Sequence, residues 1–109
     1  MLSENDIKEL HKIFKIELLE QYHVMEESLK KLAHAENKSA AIEDAYRSAH
    51  NIKGAAKSLS FDNVAIIAEA LETEFARWRH SDVNLDDDLL ENCLQKAKAM
   101  LDAFQPDKV

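Results

Sequence analysis

The chain has 109 residues, of which 46% are hydrophobic and 32% charged, and its formal net charge is −7. Such a chain suits one globular domain with a modest core; the acidic surplus argues against a nucleic-acid partner and supplies no polybasic anchor for a membrane. One glycine and one proline in the whole sequence leave few turn signals, which favours a few long helices over many short strands.

The opening residues Met1-Leu2-Ser3-Glu4-Asn5-Asp6 are polar and acidic, unlike a secretory signal. Ser3 suits an N-cap, and Glu4 and Asp6 fall in the first turn, where they complement the helix dipole. Apolar residues then recur at Ile7, Leu10, Phe14, Leu18, Tyr22, Met25, Leu29 and Leu32, spacings of three and four that mark one helical stripe. Ile13, Ile16 and Leu19 widen it, which predicts cover on more than one side of the helix's first half. The polar break Glu36-Asn37-Lys38 ends this helix, placing it over about 4–35.

A second helix over about 40–59 carries the stripe Ile42, Ala45, Ala49, Ile52, Ala56 and Leu59, alternating three and four like the a and d positions of a heptad. Asp62 is a candidate N-cap for a third helix over about 63–80, with Phe61 as a hydrophobic staple against Ile66. Its inward set is Val64, Ile67, Ala68, Leu71, Phe75 and Trp78. Ser81-Asp82-Val83-Asn84 reads as a turn. The last helix, over about 86–104, opens with Asp86, Asp87 and Asp88, buries Leu90, Leu94 (or Cys93), Ala97, Leu101 and Phe104, and stops at Pro106.

Four amphipathic helices with short connections predict an all-α, antiparallel up-down-up-down four-helix bundle, one domain over residues 1–109. A complete four-helix core implies a monomer. No apolar run approaches the roughly 20 residues that span a bilayer. Cys93 has no disulfide partner, and a cytoplasmic protein is the simplest reading.

The only glycine, Gly54, sits inside a helical pattern, where Gly costs about 1 kcal/mol relative to Ala. Helical geometry puts it one turn after His50 on the same face, with Lys57 two turns after and Lys53 and Arg47 flanking at i+3 and i−3. His50 itself lies beside the second helix's apolar seam, at the core edge with room to face water. An imidazole beside bare backbone and surrounded by cations would admit something bulky and anionic.

His50-x-x-Lys53-Gly54 in mid-helix, with Arg47 before it and Leu59-Ser60-Phe61 after it, resembles the signature of histidine phosphotransfer domains, most closely the N-terminal phosphotransfer domain of chemotaxis-type histidine kinases. The resemblance covers most of the chain and implies a four-helix bundle. It implies that His50 is phosphorylated on a ring nitrogen, usually Nε2, that Lys53 pairs with the phosphoryl oxygens, and that Gly54 lets a partner's active site approach the ring. Glu72 matches the glutamate that holds the other ring nitrogen in the chemotaxis-type members; Glu69, one turn away, is the substitute if the register differs. Ser60 stands where the family commonly has Gly.

The implied function is a phosphocarrier exchanging a phosphoryl group between His50 and the aspartate of a response-regulator receiver domain, or receiving one from a histidine kinase. Docking is expected on the face around His50, using Arg47, Ala49, Lys53, Gly54 and Lys57. Phosphoryl transfer needs mainly positioning and charge neutralisation. Mg²⁺ and the acidic pocket would belong to the partner, and this chain would need no cofactor of its own and would not phosphorylate itself. The same residues would also fit as the phosphoacceptor domain of a larger kinase.

Blander readings stand beside these. His50 alone would be a solvated helix histidine, Lys57 a surface charge and Glu72 an exposed acid. His11, His23, His34 and His80 read as surface residues. Glu20-x-x-His23 has the spacing of a carboxylate-bridged di-metal bundle, but no second copy exists, since Tyr46 follows Glu43 and Arg77 follows Glu74 at that offset. The alternative of a different class is a helical adaptor or metal-binding bundle without phosphoryl chemistry.

Overall fold

Ser3 opens the first helix: its hydroxyl accepts from the Asp6 N–H and the Asp6 carboxylate accepts from the Ser3 N–H, both at 3.1 Å, a reciprocal capping box. The computed structural model describes residues 1–80 and 83–105, which contain α1 (Glu4–Ala33), α2 (Lys38–Ser58), α3 (Asp62–His80) and α4 (Asp87–Ala103). Ser81 and Asp82 of the expected turn, and the expected helix stop at Pro106, lie outside the described residues. Asp86 precedes α4 as its cap, accepting from the Leu89 N–H at 2.9 Å.

The helices pack in a ring, α1 on α2, α2 on α3, α3 on α4 and α4 back on α1, which is the up-down four-helix bundle that the patterning predicts. At about 1.5 Å per residue the 30 residues of α1 run nearly the whole 48 Å long axis. Leu18 and Met25 of α1, Ile52 of α2, Val64, Leu71 and Phe75 of α3 and Met100 of α4 fill the centre. Ala45, Ala49 and Ala56 are fully buried on α2, and their small side chains let neighbouring helices approach closely. In α4, Cys93 is buried and Leu94 half-buried, so the thiol takes the core position, and burial pushes its pKa up to about 11.

Sequence expectations at three places are overturned. Ile13, Ile16 and Leu19 are exposed rather than covered, because α1 has only two neighbours and its outer face meets water. The Phe61–Ile66 staple does not form. Ile66 is 65% exposed, while Phe61 stacks on Phe14 at 5.0 Å and meets Phe104 edge-on at 4.9 Å. This aromatic cluster closes one end of the bundle and takes in His11, which lies half-buried 4.9 Å from Phe61 instead of on the surface.

The α1–α2 and α2–α3 connections are short because the backbone turns through left-handed residues. After α2, Ser60 has φ 63°, its N–H donates to the Lys57 carbonyl at 3.2 Å, and the Phe61 N–H donates to the Ala56 carbonyl at 2.9 Å. These are the paired bonds of a Schellman cap, whose left-handed position favours Gly. The same cap ends α1, where Ala35 has φ 55° and Glu36 donates to Lys31 at 2.9 Å. Asn37 then follows with φ 40°, again left-handed, and α2 starts at Lys38. The α2–α3 turn sets the register in which His50 lies opposite Glu72. Left-handed geometry costs a non-Gly residue roughly 1 kcal/mol, so Ser60→Gly should raise stability by about that amount, read as a higher urea midpoint with unchanged slope.

Candidate functional site

His50 follows the fully buried Ala49 on α2, so its ring leaves the core edge and its side chain is 58% exposed. Across the α2–α3 interface Glu72 is only 12% exposed, and its Oε2 lies 2.5 Å from His50 Nδ1. Its other oxygen, Oε1, accepts from Lys53 Nζ at 2.6 Å. Burial by itself would push the Glu72 carboxyl up; the hydrogen bonds and charges of Lys53 and His50 outweigh it and hold the group below the ordinary carboxylate value. The bond to Glu72 in turn raises the Lys53 ammonium.

An ionised carboxylate only accepts hydrogen bonds, so a neutral His50 must carry its proton on Nδ1. In that tautomer the Nε2 lone pair is left on the side of the ring away from Glu72, where it can act as a nucleophile. Of the two acids on this face of α3, Glu72 and not Glu69 reaches the ring; Glu69 is exposed and acts on Lys53 only through its charge.

Gly54 is exposed, and a Cβ built on it would meet nothing within 4 Å. Its φ is not positive either. Neither the fold nor the backbone requires Gly here, so the bare backbone beside His50 has no intramolecular cause. Lys57 is exposed and makes no ion pair among the described residues. Arg47 is exposed but turned toward Glu43, 3.5 Å away. Ala49 is the one expected docking residue the structure removes: it is fully buried, because it belongs to the α2 seam and has no surface to offer a partner.

One neighbour of the ring was missed by sequence reasoning. Tyr46, one turn before His50, faces the imidazole with centroids 6.1 Å apart and planes 20° apart. The Arg79 guanidinium lies 4.3 Å from the Tyr46 ring centre, and its Nε sits 3.0 Å from Glu43 Oε2. The i−4 spacing from His50 was the available signal, although it reads equally as core packing.

Among the described residues, no group of three His, Cys, Asp or Glu side chains is placed to hold a metal ion. Glu20 and His23 are both exposed on α1, facing away from the bundle core that a di-metal site would need. His34 and His80 are exposed as expected. No helix among the described residues is long and apolar enough to cross a membrane.

Because folding lowers the Glu72 pKa from its ordinary value of 4.5, the ionised group adds stability above that value and loses it as pH falls through the folded value. Lys53, raised from 10.5, adds stability below 10.5 that is lost as pH rises beyond it. The stability gap between the wild type and Glu72→Gln should therefore be present above the ordinary carboxylate value and shrink above 10.5 as Lys53 loses its proton. It should narrow on the acid side below the ordinary carboxylate value, as measured by urea midpoints across pH.

The family model described as "Hpt domain" matches residues 9–106. Neither the curated proteins nor the solved structures give a match. Hpt domains are histidine phosphotransfer carriers in phosphorelays; they exchange phosphoryl groups with response regulators and kinases and are not catalytic on their own. The matched span runs from α1 to just past α4 and includes the exposed histidine that Glu72 holds, and the chain belongs to the Hpt domain family.

Proposed function

We propose that His50 is the phosphoacceptor, that its Nε2 is the reacting atom, and that its partner in exchange is the phosphorylated aspartate of a receiver domain. The observation that carries this reading is the engagement of Nδ1 by Glu72 on a ring more than half exposed. In the forward step the Nε2 lone pair attacks phosphorus, the N–P bond forms, and the acyl-phosphate P–O bond breaks to return the aspartate as a carboxylate. The Nδ1 proton stays on the ring, and the Glu72 carboxylate stabilises the cationic character that develops there. The reverse step runs through the same geometry.

Lys53 is placed to supply charge to the phosphoryl oxygens by turning from Glu72, and Lys57 and Arg47 stand farther out on the same face. Mg²⁺ would be supplied by the partner's acidic pocket. The Glu72–His50 bond is also what supports the narrower assignment to the chemotaxis-type phosphotransfer domains, and with it a cytoplasmic setting with a histidine kinase as phosphoryl source. Gly54 fits this reading because a partner's active site can approach over bare backbone.

His50→Gln should leave helicity near the wild-type level and abolish acid-labile, base-stable label after incubation with a phosphorylated receiver; label retained in that variant would sink the assignment. Gly54→Leu should leave helicity unchanged or higher, since nothing in the fold opposes a side chain there. The same variant should slow transfer about tenfold or more, because small misplacements of reacting groups are expensive. Transfer at the wild-type rate would remove this explanation of the glycine.

A further inference from the structure

A single hydrogen bond from Nδ1 to Glu72 fixes one point of the His50 ring but leaves it free to swing about the hydrogen-bond axis. The direction of the Nε2 lone pair depends on that swing. Tyr46 supplies the missing restraint: its ring faces the imidazole at 6.1 Å and only 20° from parallel, an offset-stacked arrangement. Tyr46 is in turn held on its own face by Arg79, whose guanidinium lies 4.3 Å from the ring centre, in cation–π range. Arg79 is anchored to Glu43 at 3.0 Å. Arg79 and Glu72 are seven residues apart on α3 and so share a helical face. One helix thus restrains the phosphoacceptor twice, directly through Glu72 and indirectly through Arg79 and Tyr46.

We propose that Tyr46 is a positioning residue for His50, and that the Glu43–Arg79–Tyr46 chain holds the imidazole in the orientation that keeps Nδ1 on Glu72 and Nε2 facing the partner. The proposal rests on the phosphoacceptor reading above, yet its first readout needs no phosphoryl chemistry. Nitrogen-15 NMR of the full chain reports the His50 tautomer directly, and transfer from a phosphorylated receiver reports the consequence.

Tyr46→Leu should reduce the share of the Nδ1–H tautomer and slow transfer about tenfold, whereas Tyr46→Phe, which keeps the ring face, should stay within about twofold of wild type. Arg79→Gln should shift both readouts in the direction of Tyr46→Leu by a smaller amount. Wild-type tautomer and wild-type rate in Tyr46→Leu would overturn the proposal. Slow transfer with an unchanged tautomer would also overturn it, assigning Tyr46 to partner contact instead. If Tyr46→Leu fails to fold by circular dichroism, Arg79→Gln decides, and an unchanged tautomer and rate there would be fatal. Label that survives His50→Gln is a separate outcome: it would refute the phosphoacceptor reading while leaving the tautomer comparison interpretable.

Discussion

The Glu72 carboxylate joins α2 to α3 at a single point, and the chemistry of the site depends on that junction. One oxygen takes the His50 Nδ1 and the other takes the Lys53 ammonium, so a group that is nearly buried has both oxygens partnered. An uncompensated charge at that depth would be costly. Compensated, it selects one imidazole tautomer and leaves the opposite nitrogen in water. Without Glu72 the same histidine would be a solvated side chain whose two tautomers exchange freely.

The junction requires α2 and α3 to meet in one register, and the turn between them sets it. Ser60 accepts a left-handed conformation so that two backbone bonds can close the end of α2 and reverse the chain immediately. A looser loop would let α3 slide along α2, and a shift of one turn would put Glu69 near His50's level in place of Glu72. A small local strain at an exposed turn thus supports the placement of two side chains nearly three helical turns away.

The electrostatics of the site differ from what a count of cations suggests. Around His50, Lys53 is committed to Glu72, and Arg47 and Arg79 both lean on Glu43. At rest three of the four cations on this face are paired, with Arg47 and Arg79 sharing Glu43, and Lys57 makes no ion pair among the described residues. On the proposed reading, Lys53 would reach an incoming phosphoryl group by leaving the Glu72 oxygen it holds at rest.

Much of the architecture was legible in the chain itself, because a 3.6-residue period and the scarcity of Gly and Pro allow few alternatives to a helical bundle. His50, Lys53 and Gly54 were legible as well, since they lie within five residues on one helix and share its face by local geometry alone. Contacts between helices were not. That Glu72 rather than Glu69 meets the ring, that Phe61 turns to the aromatic end cluster and away from Ile66, and that Tyr46 and Arg79 join the site are all set by how the helices lie against their neighbours. Periodicity determines which face a residue occupies; only packing determines what stands opposite it.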